Sequence, residues 1–566
     1  MICDSRLLCL LLLISTPLSA AWVGTCASMP QQTGITVLDT LLKPDGSSLT
    51  IVASENRIQD CDMGEIPVTS NKLRWARMLN RKESDVLASG IILKNARGET
   101  QAAPPHEIIP LQDSGSAPAS VLIGAELLPQ LKGKVFGSEN RAVLRQDSGN
   151  IRLECTAGQT PAGVMLASAG SRLPAGAKLT LKLDTTADGT FRIGVADTAL
   201  EKFGDSLTLG TIPPGNQHTN YPLPAGLDKA TWRFWVMECP QTAAQLTIRS
   251  ARLEAQPTQK IPSRALWIWE PSAWKTNASS TMKRLAEYGA DTLFITVPLT
   301  ATQENVTEAE VLKRFIAAAS SRNIKVWAVI GDPRAVLPGE RDQFAKMARA
   351  YATYNLEAPL QARLSGLQLD IEPYLNSGYQ IDPEAWLAAY LDTLSRVRTQ
   401  AMMPLDVAVP FWWGRQRFRN GLFLDHLGVQ IDMISVMNYR TERQQLIDLA
   451  EPFLEWGARA KKIIRIGLEA GPIPDESLHV FRVSTKGDLW LMPLGDNNLL
   501  VSLDAATPAK PAVRVYAYSH SITRQSTNTT FNHNVGTMVR LLPELESVWR
   551  AWPSFGGIAL HGIDVD

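Results

Sequence analysis

The stretch Ser365-Gly366-Leu367-Gln368-Leu369-Asp370-Ile371-Glu372-Pro373-Tyr374 decides how the second half of the chain is read. Side chains alternate across a strand, so Leu367, Leu369 and Ile371 share one face while Gln368, Asp370 and Glu372 share the other. In a barrel the apolar face packs on outer helices and the polar face points inward, with Glu372 nearest the C-terminal mouth. Inward polar groups are costly unless hydrogen-bonded, and Val or Ile would fill a core more cheaply. Three of them in register point to chemistry; the competing reading is a structural polar network or a rim carboxylate.

Outward from this strand the pattern repeats. Apolar runs at Ala265–Trp269, Thr292–Val297, Lys325–Ile330, Gly366–Glu372, Asp406–Trp412, Met433–Tyr439, Ile464–Glu469 and Gly557–Ile563 read as eight strands. Helical spacing fills Thr281–Tyr288, Glu308–Ser320, Arg341–Tyr354, Pro383–Thr399, Glu442–Lys461 and Asn534–Ala551. Eight strands, most separated by helices, predict an α/β fold, a (β/α)8 TIM barrel over 257–566. The alternative is an open doubly wound sheet, but Gly-x-Gly-x-x-Gly and Gly-x4-Gly-Lys are both missing. About 60 residues separate the seventh strand from the last helix. Within them Leu478–Val483, Leu489–Leu494, Leu499–Leu503 and Val513–Tyr518 predict a small antiparallel insertion at about 472–533, on the catalytic face.

The first half reads differently. Short alternating runs at Lys178–Leu183, Thr190–Val195, Thr231–Met237 and Gln245–Leu253 predict a β-sandwich over 145–256, with a glycan-binding role open to it. Residues 21–144 hold strand-like pieces at Leu49–Ala53 and Ser120–Ile123 and a helix-like stretch at Lys72–Leu79, an irregular β-rich module. A polar, proline-bearing linker near 254–264 separates the halves.

At 566 residues, two or three domains fit if one is a barrel of about 250 residues. Hydrophobic residues at 45% exclude intrinsic disorder, and 56 basic against 56 acidic side chains argue against nucleic acid as partner. Residues 1–20 read as a signal peptide: Arg6, eight apolar residues from Leu7 to Ile14, then small residues. No later segment is long and apolar enough to span a membrane, so a secreted or periplasmic protein is expected. Removal of the signal leaves Cys26, Cys61, Cys155 and Cys239, an even set open to three pairings. Proximity favours Cys26–Cys61 and Cys155–Cys239. None forms a C-x-x-C pair, and the seven His lack metal-ligand spacing, so neither a metal site nor another cofactor is implied. Oligomeric state is not encoded in any of these features.

The chemistry concentrates at the barrel mouth. Like charges raise a carboxyl pKa, so Asp370 beneath Glu372 would keep Glu372 protonated as a general acid. Eleven of the 15 Trp follow residue 260. Trp269, Trp274 and Trp412 are candidates to line a cleft, where sugar C–H faces pack on indoles, whereas Trp386, Trp456 and Trp549 on helices read as core. Asp332 and Glu270 end strands as rim charges, and Ser519–Ser521 (Ser-His-Ser) lacks the context of a nucleophile elbow.

These motifs resemble glycoside hydrolase family 18, the chitinase-like barrels. That family's fourth strand carries Asp-Gly-x-Asp-x-Asp-x-Glu; here Ser365-Gly366-Leu367-Gln368-Leu369-Asp370-Ile371-Glu372 keeps the last Asp and the Glu. Its sixth strand ends Met-x-Tyr-Asp, against Met437-Asn438-Tyr439-Arg440, and its eighth begins Gly-Gly and ends with Trp, against Gly556-Gly557-Ile558-Ala559-Leu560 and then His561. The family's insertion also follows strand seven. The resemblance implies substrate-assisted retaining hydrolysis of a polysaccharide or oligosaccharide. Glu372 would protonate the leaving oxygen, Asp370 would orient an N-acetyl group and Tyr439 would donate to its oxygen. Gln368, Met437, Arg440 and His561 become substrate-contact candidates. Four positions depart from the pattern: Ser365, Gln368 and Arg440 replace acids and His561 replaces Trp.

A second assignment makes Glu372 the acid/base and Glu469 the nucleophile of an ordinary retaining glycosidase, whose carboxyls flank the bond about 5–5.5 Å apart. A rim salt bridge is the competing reading for Glu469. A catalytically inactive, lectin-like barrel and a scaffold for exopolysaccharide assembly complete the alternatives.

Overall fold

The computed structural model describes residues 20–80, 87–111, 123–137, 140–147, 149–168, 173–197, 206–224, 232–256, 263–508 and 513–563. Residues 1–19 of the expected signal, most of the strand-like piece at Ser120–Ile123 and the middle of the 254–264 linker lie outside them. Two compact units result. One comprises Met1–Asp113, Asn376–Pro383 and Asp475–Arg524; the other comprises Ser114–Leu375, Glu384–Pro474 and Gln525–Asp566.

The second unit holds the expected barrel. Its strands are Ser263–Ile268, Thr292–Thr296, Lys325–Ile330, Gly366–Leu369, Leu405–Pro410, Met433–Met437, Ile463–Glu469 and Phe555–His561, each parallel to the next. The eighth closes on the first, with Ala559 opposite Ala265. Six helices of ten or more residues accompany them: Ala278–Glu287, Ala309–Ser320, Pro338–Glu357, Pro383–Ala401, Arg443–Ala460 and Val535–Trp549. The last shows why such stretches are helical. The Asn534 side chain accepts from the Thr537 backbone N–H at 3.2 Å, capping the start. Met538, Leu542, Leu545 and Trp549 then recur at helical spacing on one buried face. Each such side chain adds roughly 1.5–3 kcal/mol on burial.

Strand four is shorter than expected. It ends at Leu369, although the Asp370 N–H still donates to Ile330 O at 2.8 Å. Pro373 has no N–H to continue a ladder and opens a single 3-10 turn, Pro373–Leu375. Inside the barrel, Trp267, Phe294 and Trp327 cluster together, while Gln368, Asp406, Ser435 and Arg465 are fully buried and polar. Gly366 makes room for this filling, since a Cβ there would lie 2.2 Å from the Trp327 ring.

The same unit contains a sandwich of two five-stranded antiparallel sheets. It begins earlier than the 145 boundary, because Leu131–Phe136 and Ala142–Gln146 supply one edge strand to each sheet. Edge strands are half-solvated and carry charge, here Lys132, Lys134 and Arg145, so the alternation that marks inner strands is weak. Cys155, ending a strand of one sheet, is bonded to Cys239, which follows a strand of the other. Barrel and sandwich touch directly: Lys178 N–H donates to Ala551 O at 2.7 Å and the Trp552 indole to Ala175 O at 3.0 Å.

The first unit corrects three sequence expectations. Residues 73–79 are not helical; after a single 3-10 turn, Ser70–Lys72, Leu73–Asn80 is a strand paired with Asn497–Pro508. Leu, Arg, Ala and Met favour helices, but a remote pairing partner overrides that propensity. The insertion is likewise no separate small sheet. Its four strands join Leu73–Asn80, Gly90–Ala96 and Glu107–Pro110 in one seven-stranded sheet. The N-terminal module therefore ends near Asp113, not at 144, and draws its core partly from residues 476–524. Cys26 and Cys61 face one another on adjacent strands of a further four-stranded sheet and are bonded.

Candidate active site

Glu372, Asp370, Tyr439, Glu469 and His561 converge at the C-terminal ends of barrel strands four, six, seven and eight. Asp370 sits immediately past the ladder of strand four. Burial first, and then the charge of Glu372, push its carboxyl up to about 7. Its Oδ1 is buried without a hydrogen-bond partner among the described residues. Burial also raises Glu372, against the effect of the Tyr374 hydroxyl, which donates to it. Tyr374 is edge-on to Trp412, with ring centroids 5.1 Å apart, and to Trp413 at 6.2 Å. Of the two Trp at the end of strand five, Trp413 is buried and Trp412 is 47% exposed.

Tyr439 stacks nearly parallel on His561, 6.1 Å between centroids. Burial and the charges of Glu469, Asp370 and Glu372 hold its phenol well above the ordinary value, so it stays a donor. Arg440 places its guanidinium 4.4 Å from the Phe411 ring centroid and donates to Tyr439 O at 2.7 Å. Met437 ends strand six, half-buried, opposite Gly467 of strand seven.

Two candidates have other work. Gln368 is fully buried: its Oε1 accepts from the Trp267 indole at 2.5 Å, and its Nε2 donates to Asp406 Oδ2 at 2.8 Å and Ser435 Oγ at 3.2 Å. An amide so buried and so occupied braces the inside of the barrel beneath the carboxylates. Glu469 is 3% exposed. Its Oε1 accepts from the Gly471 N–H at 2.5 Å and its Oε2 faces His561 Nδ1 at 2.5 Å. Both oxygens are engaged within the protein, which removes the geometric support for Glu469 as a nucleophile; it positions His561.

Trp269 is 40% exposed and its indole N–H donates to His561 Nε2 at 2.6 Å. Both line a cavity of about 460 Å3 with Trp267, Glu270, Asn277 and Glu469. Of the softer candidates, Trp274 is buried and donates to Thr296 O, and Asp332 caps the turn that follows strand three. Tyr374 is the functional residue the sequence reading passed over. Its signal was its place two residues beyond Glu372, within reach of that carboxyl. Among the described residues, no group of three or more His, Cys, Asp or Glu is arranged to hold a metal ion.

The class defined by these observations is a (β/α)8 barrel joined to a β-sandwich, with a carboxylate pair at the barrel mouth. No family model and no curated protein matches the chain. Among solved structures it is similar to a family 29 carbohydrate-binding module complexed with mannohexaose, at 17% identity over 24% of this chain and 84% of that one, TM-score 0.17. It is also similar to the CBM22-1–GH10 modules of Clostridium thermocellum endo-1,4-beta-D-xylanase 10B complexed with xylohexaose. There identity is 11% over 61% of this chain and 80% of that one, TM-score 0.25. Scores this low carry no argument about the present chain.

Proposed function

We propose that this protein is an exported glycoside hydrolase of the chitinase-like, family 18 kind. It would cleave an N-acetylhexosamine-containing polysaccharide with substrate assistance and retention. One observation carries the reading: two carboxyls stand together at a barrel mouth, Asp370 pushed up to about 7 by burial and the charge of Glu372, and Glu372 raised by its own burial. Such a pair costs stability and suits general acid catalysis.

Glu372, with Tyr374 on its carboxyl, protonates the glycosidic oxygen. Asp370, ionised once Glu372 holds the proton, accepts from the acetamido N–H and steadies the positive charge that develops as the acetamido oxygen attacks. Tyr439 donates to that oxygen. Glu372, now ionised, takes a proton from the water that opens the intermediate. Trp412 and Trp269 offer exposed indoles for sugar faces.

A second reading, a glycan-binding barrel without turnover, is favoured by Gln368. It stands where the family has an acid and is locked among Trp267, Asp406 and Ser435. New reducing ends decide between them. Chitin oligomers, partly deacetylated polymers and neutral glycans are incubated with the mature protein and with Glu372→Gln. Cleavage of N-acetylated glycans that falls 10²–10⁴-fold in the variant supports the hydrolase. Binding of the same glycans to both proteins with no cleavage supports the lectin.

A further inference from the structure

At the ends of strands one, seven and eight, the hydrogen bonds run in one direction. An indole N–H can only donate, so His561 Nε2, 2.6 Å from Trp269 Nε1, carries a lone pair. The ring proton of the neutral imidazole is then on Nδ1, donated to Glu469 Oε2. Glu469 is in turn tied to the Gly471 N–H. The tautomer is thus fixed from both sides, and the ring plane is fixed by Tyr439 stacked upon it and Trp267 edge-on at 6.0 Å. The two partners of the imidazole differ in their freedom. Glu469 is buried at 3% exposure, whereas Trp269 is 40% exposed and faces the cavity. One end of the chain is anchored and the other can leave.

We propose that His561 Nε2 is a specificity-determining acceptor for a sugar hydroxyl in the cavity beside Trp269, and that Trp269 supplies the donor when no sugar does. The inference rests on the glycan reading above and deepens it. On binding, a hydroxyl takes the Nε2 lone pair and the released indole covers the sugar face. An acceptor of this kind selects for a free O–H and rejects a sugar that is deoxy, O-methylated or O-acylated at that position, because Nε2 would then be buried unpaired. A Trp at position 561 could stack but not accept.

Two measurements test it. In 15N-histidine-labelled protein, the His561 resonances should report Nδ1 protonated and Nε2 as a bonded acceptor, and Trp269→Phe should shift the Nε2 signal alone. A protonated Nε2 overturns the proposal. Binding of N-acetylglucosamine oligomers, xylo-oligomers and their O-methylated forms is then measured in a Glu372→Gln background to prevent turnover. His561→Phe should weaken binding of the free oligomers about 10–100-fold, and His561→Gln, which keeps an acceptor oxygen, should recover much of it. O-methylated oligomers should bind parent and His561→Phe alike. Equal affinity of the parent and His561→Phe for free oligomers overturns the inference while leaving the glycan reading intact. If no oligomer binds the parent, the glycan reading itself fails and takes the inference with it.

Discussion

Two sets of carboxylates meet at one barrel mouth and are treated in opposite ways. Glu469 is almost wholly buried, yet each oxygen has a donor, the Gly471 N–H and His561 Nδ1. Asp370 is also buried at its Oδ1, but that atom lacks a partner among the described residues, and the neighbouring charge is another carboxylate. A buried, fully bonded carboxylate holds structure together, while a buried, unpaired one works against it. That the chain keeps the second beside the first is the physical reason to assign chemistry to strand four and support to strand seven.

The sharpest way to break this contrast is kinetic. Glu372→Gln should lower reducing-end release 10²–10⁴-fold, whereas Glu469→Gln, which can still accept from Gly471, should cost on the order of tenfold through a misplaced His561. Equal losses would make Glu469 a second catalytic group and erase the distinction.

A pH series tests it next. The catalytic form holds one proton on the Asp370–Glu372 pair, and the pair gives up that proton near 7. Activity should therefore fall as pH rises through about 7, and a rate that climbs steadily to pH 9 would contradict the assignment.

Stability separates the two sets by sign. A carboxyl raised from 3.8 to about 7 contributes fully below the lower value and loses that contribution as pH rises through the higher one. Asp370→Asn should therefore raise the melting temperature at pH 8, by up to about 4 kcal/mol in free energy, with the gain vanishing towards pH 4. Glu469→Ala should instead destabilise at pH 8, by about 1–3 kcal/mol, since Gly471 N–H and His561 lose their acceptor. The smallest expected effect is at Trp412, where Ala should weaken glycan binding only severalfold, because an exposed ring contributes about one stacking contact.

The sequence revealed the barrel and half of its site. Strands and helices were legible because apolar spacing changes from two to helical within each βα unit, as Thr292–Thr296 followed by Ala309–Ser320 illustrates. Asp370 and Glu372 were legible because alternation alone puts them on the face of Gln368. The Trp269–His561 bond was not, since it joins residues 292 positions apart and arises only when strand eight closes on strand one. Gln368 was misassigned because alternation gives a direction but no depth, and one layer down its amide meets Trp267 and Asp406. The N-terminal region was the least legible. Among the described residues Leu73–Asn80 pairs with Asn497–Pro508 alone, and nothing near it in the chain indicates that strand.

That pairing has a consequence in time. Leu73 lies opposite Leu503, so a ribosome working at roughly 5–20 residues per second completes the partner some 20–90 seconds after the first strand has emerged. Throughout that interval Leu73–Asn80 and Gly90–Ala96 are strands without their central neighbours, and the early module cannot finish ahead of the barrel's seventh strand. Shortening the chain from either side would therefore leave unpaired edges in what remains, and self-association of those edges is the expected fate of such fragments.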